Sequence, residues 1–260
     1  MGIIKRIRDI WQFKYLIYNL VSRDLKVKYK GSSLGFAWSL LNPLLMLAVY
    51  TVAFTYVIKI KVPNFPIFLF SALMPWNFLH ATLSMGVVSI SENSNLVKKV
   101  YFPREVLPLS IVLVNLFHFF LTFAVLIPAL FFLNVTPGPI FLFLIVIILF
   151  QTFFVLGLTL VAAAYNVYYK DVKHVLEVFL QLWFWVTPII WSVELLPERF
   201  RTFTYLNPFT PFVNAYRDII LHNRFPQLAN LLLVMAWGVF SVLIGSSLFQ
   251  NKQRRFAEEI

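Results

Sequence analysis

A cluster of basic residues just ahead of the first long apolar stretch is the clearest place for chemistry in this sequence. It comprises Arg23, Lys26, Lys28 and Lys30, and the apolar stretch follows Gly31. Basic groups at a membrane surface attract anionic lipid by about 1 kcal/mol per residue. Two interpretations are open: an anchor that fixes topology through acidic lipid, or a docking site for a phosphorylated lipid.

The sequence lacks the patterns of common catalytic and nucleotide-binding sites. It has no cysteine and no Gly-Lys pair, so the Gly-x-x-x-x-Gly-Lys-[Ser/Thr] phosphate loop is absent. The aspartates Asp9, Asp24, Asp171 and Asp218 are scattered, which leaves no paired carboxylates for acid–base catalysis. An enzyme is therefore disfavoured, and no metal or cofactor is expected on this chain.

The composition indicates an integral membrane protein. Of the 260 residues, 60% are hydrophobic and 13% are charged, against about 45–50% and 25% in soluble proteins. A helix needs about 20 apolar residues to cross the hydrocarbon core. The charge-free intervals therefore predict an all-α fold with six transmembrane helices, near 35–58, 67–90, 107–133, 140–165, 175–193 and 228–249.

The basic residues set the predicted orientation. Of the 22 Lys and Arg residues, 16 fall on the side of both termini, eight of them before the first span, and the net charge is +11. Since basic residues near spans remain cytoplasmic, we expect both termini inside. Residues 1–34 are then an amphipathic cytoplasmic segment, 35–253 a single six-span domain and 254–260 a cytoplasmic tail.

The predicted spans lack ion-coupling groups. No acidic or basic residue lies deep inside any of them, although secondary transporters and proton pumps usually need one. His80 and His118 lie well inside, where a lone histidine is more often a hydrogen-bonded packing residue than a proton relay. If the protein moves a substrate uphill, the energy must come from outside its membrane domain.

Two cytoplasmic segments have amphipathic patterns. Over residues 2–30, an interface helix is predicted, with Ile3, Ile4, Ile7, Ile10 and Trp11 opposite Lys5, Arg6, Arg8 and Asp9. In the loop 92–105, a short helix ending at Pro103 is predicted, with Leu96, Val97, Val100 and Tyr101 on one face and Lys98 and Lys99 elsewhere. A helix this short needs a partner or a lipid surface, and both a solvated connector and a docking helix fit the pattern.

The external loop before the last span predicts interface helices. Pro197, Pro208, Pro211 and Pro226 forbid one continuous helix, and the uncharged stretch 202–216 is too short to span. We expect helical pieces that dip into the outer interface, with Phe212, Tyr216, Ile219 and Ile220 on one face, as a lid or an exit lining.

Aromatic residues are dense in the fifth predicted span, at Phe179, Trp183, Phe184, Trp185 and Trp191. Packing and interface belts account for many membrane aromatics. Aromatic faces along a watery path would also suit sugar rings, and both interpretations are open.

Five motifs then follow one another in order along nearly the whole chain. They are Ser22–Trp38 continuing into Leu41-Asn42-Pro43, Asn95–Pro103, Tyr168–His174, Thr187-Pro188, and Asn207-Pro208 through Tyr216-Arg217-Asp218. Together they resemble the permease subunits of bacterial ABC-type polysaccharide exporters, which move O-antigen, capsule or teichoic acid chains.

The resemblance implies a homodimer in the bacterial cytoplasmic (inner) membrane, bound to two copies of a separate ABC ATPase that binds the ATP and Mg²⁺. The implied substrate is a lipid-linked polysaccharide, O-antigen on undecaprenyl diphosphate above all, moved through a channel at the dimer interface. Membrane lipid is a further partner, and nucleic acid is not.

The resemblance also implies roles for four groups of residues. The ATPase-coupling helix would comprise Asn95, Leu96, Val97, Lys98, Lys99, Val100, Tyr101, Phe102 and Pro103. The cytoplasmic gate that receives the lipid diphosphate would comprise Arg23, Lys26, Lys28 and Lys30. The glycan path would contain Trp38, Phe179, Trp183, Phe184, Trp185 and Trp191. The periplasmic gate would contain Asn207, Pro208, Phe209, Phe212, Tyr216 and Arg217.

Two other functions remain open from the residues. An ABC permease for drugs or lipids would share this topology without needing sugar-stacking aromatics. An integral-membrane glycosyltransferase or phosphatase would instead need catalytic acidic or basic groups at the interface.

Overall fold

The computed structural model describes residues 3–32, 34–53, 64–133 and 135–259, and within them all regular secondary structure is helical. The helices are α1 (Ile3–Gln12), α2 (Lys14–Tyr29), α3 (Trp38–Thr51), α4 (Phe65–Gly86), α5 (Ser94–Lys99), α6 (Val106–Phe132), α7 (Leu144–Tyr168), α8 (Val172–Val186), α9 (Glu198–Thr204), α10 (Thr210–Ile220), α11 (Leu228–Gln253) and α12 (Phe256–Glu259). The all-α fold is confirmed.

Among the described residues, four helices are long and apolar enough to cross a membrane. They are α4, α6, α7 with the 3₁₀ turn before it (Pro139–Tyr168), and α11. They coincide with the second, third, fourth and sixth predicted spans. The first predicted span begins with α3, and its residues 54–58 lie outside the described residues.

The fifth predicted span is longer than the helix found there. The prediction was 175–193, whereas α8 begins at Val172 and ends at Val186. Pro188 has no N–H to continue the helix, and its ring pushes the preceding residue away from helical geometry. Thr187 accordingly has an extended backbone, with ψ at 136°.

Helices α7 and α11 pack closely because small residues face each other. A Cβ on Gly157 would overlap the backbone of Ser241, and a Cβ on Gly245 would overlap the backbone of Gly157. Small residues let transmembrane helices approach closely enough for backbone contact. The two helices are therefore in backbone contact along this face.

The alternating helix directions define two ends. We name them inner and outer after the predicted orientation: α4, α7 and α11 finish and α6 begins at the inner end, and α4 and α11 begin at the outer end. The main apolar core lies between α4, α6, α7 and α10. A separate apolar cluster at the inner end joins Leu20 of α2 to Val97, Phe102, Phe249 and Phe256.

The N-terminal segment is two helices rather than one amphipathic helix. It breaks at Phe13, and the residues packed against the inner cluster include Ile10, Phe13, Leu16 and Ile17. Trp11, predicted on the apolar face, is exposed. The side chains of Ile3, Ile4, Lys5 and Ile7 lie outside the described residues.

Helix α10 is buried far more completely than a helix lying in an interface. Every residue from Thr210 to Ile220 except Asn214 is buried. The predicted face of Phe212, Tyr216, Ile219 and Ile220 is in the core, but so is the rest of the helix, because α10 packs between α4, α7 and α11. Prediction of a single buried face was therefore incomplete.

Candidate functional sites

The loop 92–105, at the inner end, exposes one large aromatic side chain on its surface. Helix α5 ends at Lys99, before the predicted stop at Pro103, and Val100 is extended with φ −126° and ψ 137°. The predicted apolar face is consequently divided. Val97 is buried, whereas Val100 is half exposed and Tyr101 is 97% exposed. Lys98 and Lys99 are exposed and lie away from the buried side, as predicted.

Tyr101 projects from a loop that is anchored on both sides. Val97 before it and Phe102 after it both belong to the inner apolar cluster. An exposed aromatic side chain held between two buried anchors costs little conformational freedom when it binds a partner. The arrangement can serve as a rigid contact point.

A buried ion pair connects this loop to both termini of the chain. The Arg6 guanidinium donates to the Glu105 carboxylate at 2.7 Å, and the two side chains are 17% and 7% exposed. Gln253 donates to the same carboxylate oxygen at 3.2 Å, and Arg6 also donates to the Ser246 carbonyl at 3.3 Å. Arg6 was predicted on the polar side of an interface helix, and its partner is a buried carboxylate.

Arg104 strengthens the same junction. It donates to the Gln253 carbonyl, and its guanidinium lies 6.0 Å from the centre of the Phe256 ring. These contacts attach the loop to the end of α11 and to α12.

In the basic cluster of α2, Arg23 is bonded to other residues of the protein, whereas the three lysines are exposed on the surface. Arg23 pairs with Asp24 at 2.8 Å and donates to the Asn93 side chain at 3.2 Å, which attaches α2 to the loop. Lys26, Lys28 and Lys30 are exposed and have no acidic partner among the described residues. These three can attract an anion.

Lys28 and Trp38 lie together. They line a cavity of about 200 Å³ whose walls also include Asn42, Asn77 and His118. The sequence assigned Lys28 to the cytoplasmic gate and Trp38 to the glycan path, and the structure places them on one surface beside α3, α4 and α6.

The aromatic residues of the fifth predicted span do not share one environment. Trp183 is only 9% exposed, and its indole N–H donates to the Asn207 side chain at 2.8 Å. Phe179 and Trp185 are exposed, while Phe184 and Trp191 are half-buried. The indole of Trp191 donates to the Trp185 carbonyl at 3.0 Å.

The predicted gate residues form one packed unit with Trp183. Asn207 donates to the Thr187 hydroxyl at 2.9 Å and accepts from the Phe209 backbone N–H at 3.0 Å. Phe209 and Phe212 are fully buried, and Pro208 is half-buried beside them. The segment after α8 is thus held against the core at the Thr187-Pro188 break.

Tyr216 and Arg217 attach α10 to its neighbours. The Tyr216 hydroxyl donates to the Gln151 side chain at 2.6 Å, and Gln151 donates to the Pro75 carbonyl at 2.8 Å. Arg217 donates to the Ile189 carbonyl at 2.8 Å. Burial lowers the pKa of the Arg217 guanidinium and Glu194 raises it.

Sequence reasoning missed several of these residues. Glu105, Gln151 and Asn230 are buried polar groups whose partners lie far away in the sequence. Trp76 packs edge-on against both Trp183 and Phe209, with ring centres 5.8 and 5.6 Å apart. The sequence offered one signal for these residues: a polar side chain inside a charge-free span, such as Gln151, indicates a buried hydrogen bond.

The sequence model of the ABC-2 type transporter family matches residues 15–221, more than half of the chain. The chain belongs to the ABC-2 type transporter family. The family resemblance stated from the motifs is confirmed. Together with the four apolar helices, it places this permease in the bacterial cytoplasmic membrane as a multi-pass protein.

The permease matches named relatives over nearly their full length. It is 35% identical to the O-antigen export system permease protein RfbA of Myxococcus xanthus, covering 99% of this chain and 100% of the relative. It is 30% identical to a Klebsiella pneumoniae protein of the same name, covering 94% of each. It is 19% identical to the polysialic acid transport protein KpsM of Escherichia coli, covering 92% and 94%.

Proposed function

We propose that this permease is the membrane subunit of an ATP-driven exporter that moves a lipid-linked polysaccharide, O-antigen in particular, out of the cytoplasm. The observation that carries the proposal is the 35% identity to an O-antigen export permease over the whole of both chains. The charge-free spans support it, because they lack the ionisable groups of an ion-coupled transporter.

The proposed protomer has six spans, with α3 and α8 completing the set and both termini inside. The 15 residues of α8 are too few to cross about 30 Å of hydrocarbon alone. The non-helical chain after Thr187, held by Asn207 and Trp183, continues the fifth span towards the outer surface. Non-helical backbone at membrane depth is tolerated where protein surrounds it.

The motor in this proposal is a separate ABC ATPase, present in two copies, that binds ATP and Mg²⁺. The loop 92–105 is its docking segment, with Tyr101 as the central contact. Large aromatic side chains are frequent anchors of protein interfaces. Movement of the loop would reach α1 and α11 through the Glu105 carboxylate, to which Arg6 and Gln253 are both bonded.

The substrate enters at the basic surface of α2. Lys26, Lys28 and Lys30 attract the diphosphate of the lipid carrier, and Arg23 holds α2 to the loop beside them. Because Lys28 and Trp38 line the same cavity, the diphosphate and the first sugars would meet one continuous surface.

The glycan path in this proposal runs between two copies of the permease. The exposed Phe179 and Trp185 of α8 are its best-placed aromatic residues, and Trp38, Phe184 and Trp191 extend the surface. Trp183 supports the path from the core. The unit of Asn207, Pro208, Phe209, Phe212, Tyr216 and Arg217 closes its outer end as the periplasmic gate.

The test is transport by the purified permease and its ATPase in proteoliposomes. The lipid-linked glycan extracted from the host membrane should stimulate ATP hydrolysis and become accessible to a glycosidase on the far side of the membrane. Stimulation by hydrophobic drugs alone would favour a drug or lipid exporter. Covalent change of the glycan in the absence of the ATPase would favour an enzyme.

A further inference from the structure

Helix α4 is buried except for one stripe in its inner half. Every residue from Ile67 to Trp76 is buried. The later positions of the helix that are exposed or half-buried are Asn77, His80, Ala81, Ser84 and Met85. The last four follow Asn77 by three, four, seven and eight residues, which is the spacing of a single helix face. We call these five residues the α4 stripe, and three of its side chains are polar.

The other long helices expose only apolar side chains, and all of their residues are among those that the structure describes. The exposed residues of α6 are Phe, Ile, Ala and Pro, and those of α7 are Ile145 and Leu149. From Leu228 to Ile244, α11 exposes only Leu, Ala, Met, Val, Phe and Ile. Such surfaces suit hydrocarbon, whereas an exposed amide or imidazole would lose its hydrogen bonds there. The α4 stripe therefore differs from the surfaces that are suited to lipid.

The α4 stripe begins deep in the predicted span. Helix α4 runs from Phe65 to Gly86, so Asn77 lies within two residues of its midpoint, or about 2 Å at a rise of about 1.5 Å per residue. His80 and Ser84 follow towards the inner end. Polar side chains at this depth face the interior of a helix bundle or a water-filled cavity. Since Asn77 and His80 are exposed, the stripe requires water or a polar partner.

Polar side chains from three other helices lie at the same place. Asn77 lines a cavity of about 200 Å³ together with Asn42 of α3, His118 and Thr122 of α6, and Lys28 of α2. No carboxylate is among the described residues of its lining. A polar cavity of this size has room for water molecules. Lys28 belongs to the basic surface where the substrate enters in the proposed exporter, so the cavity continues from that entrance.

We infer that the α4 stripe faces water and forms one wall of the path that a polar substrate follows through the membrane. Its amide, imidazole and hydroxyl groups can each donate and accept hydrogen bonds, as a neutral hydroxyl-bearing chain requires. Water is favoured over a second copy packed on the stripe, because close packing would bury the Lys28 ammonium without a carboxylate from the described residues. That the substrate is a glycan rests on the proposed function.

Cysteine accessibility tests the water-facing stripe without the ATPase or a substrate. The chain has no cysteine, so Asn77→Cys and Ser84→Cys each introduce a single thiol. Val239→Cys is the matched control, because Val239 is exposed on the apolar surface of α11 near the midpoint of that helix. In nanodiscs, a cationic, water-soluble methanethiosulfonate should modify both stripe positions about a hundredfold faster than position 239, because hydrocarbon excludes the reagent and keeps the thiol protonated.

Two results would overturn the water-facing stripe. Equal rates at positions 77 and 239 would mean that the stripe is no more hydrated than a lipid-facing surface. Absence of modification, with disulfide crosslinking of two copies through position 77 under an oxidant, would show a packed interface between copies instead. Ser84→Cys replaces one oxygen atom by sulfur, so it provides the same test if Asn77→Cys does not fold.

Protection by the substrate tests the path itself. The ATPase and the lipid-linked glycan extracted from the host membrane are added to Asn77→Cys, with the glycan at about ten times its dissociation constant. Modification should then slow about tenfold, because about nine-tenths of the sites are occupied. An unchanged rate in a complex that exports the glycan would overturn the contact between stripe and substrate. Failure of the wild-type complex to export any glycan would overturn the proposed function and leave the water-facing stripe in place.

Discussion

The two ends of the bundle bury arginine in different ways. At the inner end, Arg6 is bonded to the side chain of Glu105, which also binds Gln253. At the outer end, Arg217 is bonded to the main-chain carbonyls of Ile189 and Phe68. The inner arginine connects α1 to the Glu105 carboxylate and to the Ser246 carbonyl of α11, whereas the outer arginine is bonded only to main-chain carbonyls of other segments.

This difference corresponds to what each end presents to its surroundings. The inner end exposes Tyr101 on an anchored loop, and the side-chain junction behind it joins α1, α6 and α11. The outer end exposes little of α10 and keeps its polar groups inside a cavity. In the proposed exporter, the inner end would contact the ATPase, and the outer end would hold the gate segment in place.

The largest effect is expected from breaking the inner junction. Arg6→Met leaves Glu105 buried with only the Gln253 amide as a partner, which should lower the free energy of unfolding by about 3 kcal/mol. Thermal unfolding of the purified permease in detergent, followed by circular dichroism, measures it. Arg8→Met is the control, because Arg8 lies on the same helix and is exposed. Equal melting temperatures for the two variants would show that the junction does not stabilise the inner end.

A smaller effect is expected in the outer core. Tyr216→Phe removes the hydroxyl that donates to Gln151, so that one buried acceptor loses its donor. Hydrogen bonds between membrane helices contribute little to stability, so the free energy of unfolding should fall by about 1 kcal/mol. The same unfolding measurement applies, with the exposed Tyr205→Phe as its counterpart. A destabilisation as large as that of Arg6→Met would remove the contrast between the ends.

The smallest effect on stability is expected at the basic surface of α2. Lys26→Gln should leave the melting temperature unchanged but weaken binding of an undecaprenyl diphosphate lipid about fivefold, the equivalent of about 1 kcal/mol. Native mass spectrometry in neutral nanodiscs, at two salt concentrations, gives the affinity. Arg254→Gln in the C-terminal segment is the control, and an equal loss of affinity there would mean that the effect is one of general charge.

Sequence patterns predicted the elements whose physical cause is local. Four spans follow from uninterrupted apolar runs, whereas the fifth predicted span ran past Pro188, which ends the helix. The end of α8 at Val186 rather than at 193 follows from the same proline. The lengths of the four long helices could therefore be derived from nearby residues, whereas the predicted ends of α5 and of the fifth span were wrong.

The polar contacts behind the candidate sites could not be predicted in this way. Arg6 and Glu105 are 99 residues apart, and Tyr216 and Gln151 are 65 apart. No periodicity connects such pairs, because they exist only once the helices have packed. The complete burial of α10 was missed for the same reason: three neighbouring helices surround it, and its sequence has an amphipathic pattern that suggests one buried face.

The central claim is that a separate ATPase drives this permease through Tyr101. The decisive measurement is the affinity of purified ATPase for the permease in nanodiscs, compared between Tyr101→Asp and Tyr18→Asp, since both tyrosines are exposed and Tyr18 lies on α2, outside the docking segment. Losing an aromatic anchor that contributes about 2 kcal/mol should weaken the complex about thirtyfold for Tyr101→Asp, with the melting temperature of the permease unchanged and Tyr18→Asp close to wild type. Wild-type affinity and glycan-stimulated ATP hydrolysis in Tyr101→Asp would contradict the account.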